Sequence, residues 1–163
     1  MKEQCHICER KIKKETAVCD NCQATETEVL LIGYRGVLNF GKLSMAPVNM
    51  LLTDKRFLIF SDVLNAGSMS TVAATGGGLL GYGLGKLADK AINKSMGRNG
   101  KLIANYQFSD ITSLEMEEIK KGNILTINSE NDKPKKILLG TSFTDPSLND
   151  AGFIAELKKA ITK

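Results

Sequence analysis

Met50-Leu51-Leu52-Thr53-Asp54-Lys55-Arg56-Phe57-Leu58-Ile59-Phe60 is the stretch on which the fold turns. Two apolar runs, extending from Pro47 to Thr53 and from Arg56 to Ser61, flank a polar turn. That pattern predicts a β-hairpin. Similar runs lie on both sides. Glu28 to Tyr34 and Gly36 to Phe40 read as two strands before it, and Leu102 to Phe108 and Ile111 to Glu117 as two strands after it. Gly122 to Asn128 and Lys135 to Gly140 form another pair, joined by the loop-like Ser129 to Pro134. In Gly122 to Asn128, Ile124, Leu125 and Ile127 call for a buried side, and Asn123, Thr126 and Asn128 for a wet one.

After Asp145-Pro146-Ser147 the period changes. Leu148, Phe153, Ile154, Leu157, Ala160 and Ile161 fall on one face of a helix. Lys158, Lys159 and Lys163 sit near its end, where cations suit the dipole.

The Met50–Phe60 run resembles the strand–turn–strand signature of PH-like domains of the GRAM and bacterial PH type. In that family a threonine, a polar turn and an arginine precede an apolar strand. Ile111 to Glu117 is similar to the family's next recognisable strand, and the terminal helix to the one that plugs the PH barrel. The resemblance covers about residues 27–163 apart from one interruption, and implies a barrel that binds lipid or protein. The chain has no tryptophan, and so lacks the one that eukaryotic PH domains usually carry in the last helix. Tyr34 to Leu43 offers only Arg35 and Lys42 as cations, so phosphoinositide binding does not carry over.

Four cysteines occupy the first 22 residues and no others occur in the 163-residue chain. Cys5-His6-Ile7-Cys8 and Cys19-Asp20-Asn21-Cys22 are two C-x-x-C pairs, whose thiolates can meet as the tetrahedron a structural zinc ion prefers. Iron in a rubredoxin-like site uses the same ligand set. A disulfide scaffold fits less well, because the N-terminus has no apolar export segment. Beyond Met1, residues 1–22 offer only Ile7, Ile12, Ala17 and Val18 as apolar side chains besides the thiols. These cannot offset ordering costs of about 1–2 kcal/mol per residue, whereas structural zinc supplies about 10–16 kcal/mol in finger peptides. The ribbon resembles the short zinc ribbons fused to many small bacterial proteins. His6, the only histidine, has two readings: an exposed knuckle residue, or a fifth ligand or general base.

The interruption is the other distinctive segment. Val63 to Gly85 carries no charge, and Gly77, Gly81 and Gly85 recur every four residues, a glycine-zipper spacing for close helix packing. Lys86, Lys90, Lys94 and Arg98 follow. With Lys101 and against Asp89, they account for the formal net charge of +4. A basic amphipathic turn after such a helix suits an anionic membrane surface or self-association. A flexible insertion or a helical hairpin packed on the barrel is the other reading. Seven glycines dilute the segment below the roughly 20 predominantly apolar residues of a spanning helix. Gly76-Gly77-Gly78-Leu79-Leu80-Gly81 matches G-x-G-x-x-G but lacks a parallel strand before it and an acid after it. Leu80 and Leu87 stand where a phosphate-binding P-loop needs glycine and a hydroxyl residue.

With one histidine and no cysteine outside the ribbon, the usual nucleophile–base pairs cannot be built. Glu115 and Glu117 share a strand face, read as solvated. The expected fold class is α+β: a zinc ribbon (1–22), a linker (23–27) and a PH-like antiparallel β-barrel or sandwich with a C-terminal helix (28–163). A glycine-rich helical insertion (63–98) interrupts it. The expected function is that of a non-catalytic binding or adaptor module holding structural Zn2+. It is cytoplasmic, or peripheral at the inner membrane face. Its partners are a protein, an anionic membrane or a second copy. The ribbon as the partner-gripping element is an alternative, and nucleic-acid binding by the ribbon a weaker one, since four thiolates make a loaded zinc site formally −2. No small-molecule substrate is indicated.

Overall fold

The computed structural model describes residues 4–12, 18–62 and 99–163. Among the described residues, seven strands and one helix follow the N-terminal cysteine segment: β1 (Leu30–Leu38), β2 (Ala46–Thr53), β3 (Arg56–Asp62), β4 (Asn99–Gln107), β5 (Ile111–Ile119), β6 (Gly122–Ser129), β7 (Lys135–Ser142) and α1 (Asp150–Ile161). A 3-10 turn, Phe108–Asp110, joins β4 to β5. The architecture is α+β, with an antiparallel sheet ordered β4-β3-β2-β1-β7-β6-β5.

One core cluster draws side chains from every strand, including Tyr106 of β4 and Ile111 of β5 at opposite edges of the sheet. A flat sheet would hold those edges about six strand spacings of 4.8 Å apart. The sheet therefore curls, and the 3-10 turn ties its two edge strands together. α1 packs Phe153, Ile154 and Leu157 onto the concave side. Asn149 caps the helix, its side chain accepting from the Gly152 N–H at 2.8 Å. Phe153 stacks on Tyr34 at 4.4 Å and 11°. The Tyr34 hydroxyl donates to Asp150, whose other oxygen accepts from Asn123 Nδ2 at 2.7 Å. Burial and that carboxylate push the Tyr34 hydroxyl above its ordinary range. One face of α1 thus locks strands from both halves of the sheet.

Two local expectations are corrected. Glu28 to Tyr34 and Gly36 to Phe40 are not two strands. β1 runs unbroken from Leu30 to Leu38, and the irregularity near Gly36 is a register shift against β7. Gly36 is needed there for close approach: a Cβ would lie 2.5 Å from Ile137 Cγ2 and 2.9 Å from the Leu138 carbonyl oxygen. In β6, Leu125 and Ile127 are buried, while Ile124 is only half-buried and faces the other way. A period of two cannot place residues 124 and 125 on one side.

Truncating the helix plug should be costly. Phe153→Ala is expected to lower unfolding free energy by about 3–5 kcal/mol, read as a lower urea midpoint at unchanged slope.

Candidate metal centre

Two knuckles of the same construction build the N-terminus. In the first, the Cys5 N–H donates to the Arg10 carbonyl at 2.7 Å and the Glu9 N–H to the Cys5 carbonyl at 2.8 Å. In the second, the Cys19 N–H donates to the Ala24 carbonyl at 3.0 Å and the Gln23 N–H to the Cys19 carbonyl at 2.8 Å. The bridges Gln4↔Lys11 and Val18↔Thr25 close each loop at equivalent positions. Gln23, Ala24 and Thr25, within the stretch 23–27 expected as a linker, therefore form the far side of the second knuckle. Glu9 and Gln23, just after each second cysteine, have φ of 59° and 58°. The turn demands the left-handed region that glycine occupies most cheaply.

This geometry brings all four sulfurs together. Cys5, Cys8, Cys19 and Cys22 are buried, and their sulfurs lie within 4.8 Å of one another. Cys5 and Cys22 Sγ are 3.7 Å apart, and Cys8 and Cys19 Sγ 3.6 Å. A tetrahedron with zinc–sulfur bonds of about 2.3 Å has edges of about 3.8 Å. The spacing and the donor chemistry both fit a divalent ion such as zinc. Cys5 is pulled far below its ordinary value by hydrogen bonds from Cys22 and then Cys8, while Cys22 is pushed far up by Cys5 and Cys8. A thiolate at one corner opposes thiolates at the others, the behaviour of like charges competing for one site, and a cation removes the conflict. Asn21 Nδ2 reaches Cys8 Sγ at 3.6 Å, and its carbonyl oxygen is held by Arg10 at 2.8 Å. Such outer contacts orient ligand sulfurs.

The cluster packs on the sheet. The cysteines, Ile7 and Ala24 share a core with Leu51, Leu58 and Phe60. In β2 and β3 the register pairs Leu51 with Leu58 and Met50 with Ile59. Met50, Leu52, Phe57 and Ile59 face the inner core, and Leu51, Leu58 and Phe60 face the sulfurs. The hairpin is thus buried on both faces.

A buried ion pair stands at the joint. Arg56 meets Glu28 through Nε–Oε1 and NH2–Oε2, each at 2.9 Å, and Thr53 Oγ1 donates to Glu28 Oε1 at 2.8 Å. Burial opposes the Arg56 charge, but Glu28 and then the charges at Cys22 and Cys5 hold its pKa above the ordinary value. His6 is exposed and does not ligate. Its Nε2 donates to the Glu28 carbonyl at 2.6 Å, which assigns the proton to that nitrogen. The contact of Arg56 and Thr53 with Glu28 is not legible in the sequence, where Thr53 and Arg56 read only as the polar residues of the hairpin signature.

Glu115 and Glu117 are exposed, and Glu115 accepts from Asn128 at 3.0 Å. Gly77, Gly81, Gly85, Lys86, Lys90, Lys94 and Arg98 lie outside the described residues. Among the described residues, no helix is long and apolar enough to cross a membrane. No protein-family model matches this chain, and no curated protein matches it.

Elemental analysis of reductively purified protein should find one zinc per chain, and Cys19→Ser should abolish stoichiometric binding. Gln23→Gly should relieve the left-handed strain at the second knuckle. It is expected to raise the stability of the loaded protein by about 0.5–1 kcal/mol, read as a higher thermal midpoint.

Proposed function

We propose that the chain is a non-catalytic binding module, a zinc ribbon seated on a PH-like domain, that offers residues 63–98 to an anionic membrane surface. The seven-stranded antiparallel order and the C-terminal helix on its concave side support the PH-like reading. Thr53 and Arg56, the polar residues of the resemblance, have structural work at the ribbon joint.

The observation that carries the functional reading is where the basic segment leaves the sheet. β3 ends at Asp62 and β4 begins at Asn99, and these two residues pair directly across the ladder. Both are buried, and Asn99 Oδ1 accepts from Asn49 Nδ2 at 3.0 Å. The chain therefore leaves the sheet at Asp62 and re-enters it at Asn99, side by side. The excess positive charge concentrated in residues 63–98 thus belongs to a single excursion from one end of the sheet, and clustered cations of this kind are drawn to an anionic surface. A ribbon that grips a partner or nucleic acid is less well supported, because Ile7, Ala24 and the sulfurs spend their apolar side on the chain's own sheet.

Sedimentation with vesicles of anionic and of neutral lipid tests the proposal. The full chain should pellet with anionic vesicles, less so in high salt, and a chain lacking residues 63–98 should stay in the supernatant. Equal binding by both chains would remove the role given to the segment.

A further inference from the structure

The contacts between the cysteine cluster and the hairpin carry an inference that goes beyond the binding role. Leu51, Leu58 and Phe60 are fully buried (0% exposed each), and they share their cluster with the four cysteines, Ile7 and Ala24 of the ribbon, with Leu30, Leu102 and Phe143 packed at its margin. The ribbon has little else to keep it folded: among its described residues, Ile7, Ile12 and Ala24 are the apolar side chains packed with the cysteines in that core. A second connection is polar. Glu28 is fixed to the hairpin by Arg56 and Thr53, and its carbonyl holds His6 between the first two cysteines. The opposite face of the same strands has its own cover, α1 and the inward side chains of β5 to β7. One hairpin therefore has two walls, of which only the outer one depends on the sulfurs staying together.

We infer that the metal site is a conformational switch: occupancy decides whether the outer apolar face of β2 and β3 is covered, while the inner core persists in either state. Loss of the ion leaves four sulfurs with no common partner, so the knuckles open. Leu51, Leu58 and Phe60 then meet water, and the Glu28–Arg56 pair loses its cover. The sheet becomes a folded body with one new apolar face. By linkage, the coupling is reciprocal: weakening the outer wall must weaken metal binding by the same factor that metal strengthens the wall.

Two measurements on the full chain test this, and neither involves a membrane or partner. The first is amide exchange by NMR with zinc bound and after removal by a strong chelator. Exchange in β2 and β3 should accelerate about a hundredfold, while α1 and β6 change by less than about threefold. Acceleration confined to residues 4–25 would mean an autonomous ribbon, and uniform acceleration would mean global unfolding. Either overturns the inference. The second is competition for zinc with a chromophoric chelator. Phe60→Ala should weaken binding about tenfold and the gentler Phe60→Leu about threefold, while Ile127→Val, in the other core, leaves it unchanged. Equal affinity across all the variants would also overturn it.

Discussion

Four sulfur atoms held within 4.8 Å of one another cannot all be thiolates without a cation among them. That constraint organises the N-terminal part of the molecule. The knuckle hydrogen bonds, the left-handed residues at Glu9 and Gln23 and the burial of each cysteine serve to bring the sulfurs to one point. A structural zinc site releases about 10–16 kcal/mol when it forms in small peptides. Burial of one large apolar side chain contributes roughly 1.5–3 kcal/mol. A bound ion would thus be the dominant stabilising term for the ribbon, and the contacts with Leu51, Leu58 and Phe60 decide where the ribbon sits.

The same contacts explain the composition of the hairpin. A strand with one wet face alternates polar and apolar residues, but Met50-Leu51-Leu52 and Phe57-Leu58-Ile59-Phe60 do not. Near-continuous apolar runs belong to strands covered on both sides. Here the covers differ in kind. The inner one is an ordinary hydrophobic core closed by α1, and the outer one is a pair of cysteine knuckles. β5, at the far edge, is covered on neither side to the same extent and carries Glu115, Glu117 and Glu118. Charge on an edge strand discourages pairing with another chain.

Much of this was legible in the residues. The C-x-x-C pairs located the cysteine cluster, and the turn at Thr53 to Arg56 and the apolar spacing from Phe153 to Leu157 located the hairpin and the helix. What failed was local continuity. A glycine at position 36 suggests a break, yet the strand continues because the glycine lets β7 approach. Ile124 was grouped with Leu125 by hydropathy, where the pleat separates them. The ribbon's place on the sheet was out of reach of spacing rules, since it rests on contacts between Cys22 or Ile7 and residues far along the chain. One clue was available: an apolar run without alternation needs two covers, and residues 1–22 were the nearest segment in need of a surface.

The Glu28–Arg56 pair is the least economical part of the joint, and its placement follows from that cost. Burying two charges forfeits hydration, and a well-packed apolar pair is often as stable or better. Here the pair is saturated: both guanidinium–carboxylate bonds are made, and Thr53 occupies a further lone pair. An apolar contact at this point could slide by a residue or tilt. A bidentate pair with a hydroxyl brace has one geometry. The electrostatic influence of Cys22 and Cys5 on Arg56 also puts its cation where it would partly balance the surplus negative charge of a four-thiolate metal site. A neutral residue of the same volume would keep the packing but lose both the fixed angle between ribbon and sheet and that compensation. An arginine at the foot of the hairpin is the arrangement in which electrostatics and orientation agree.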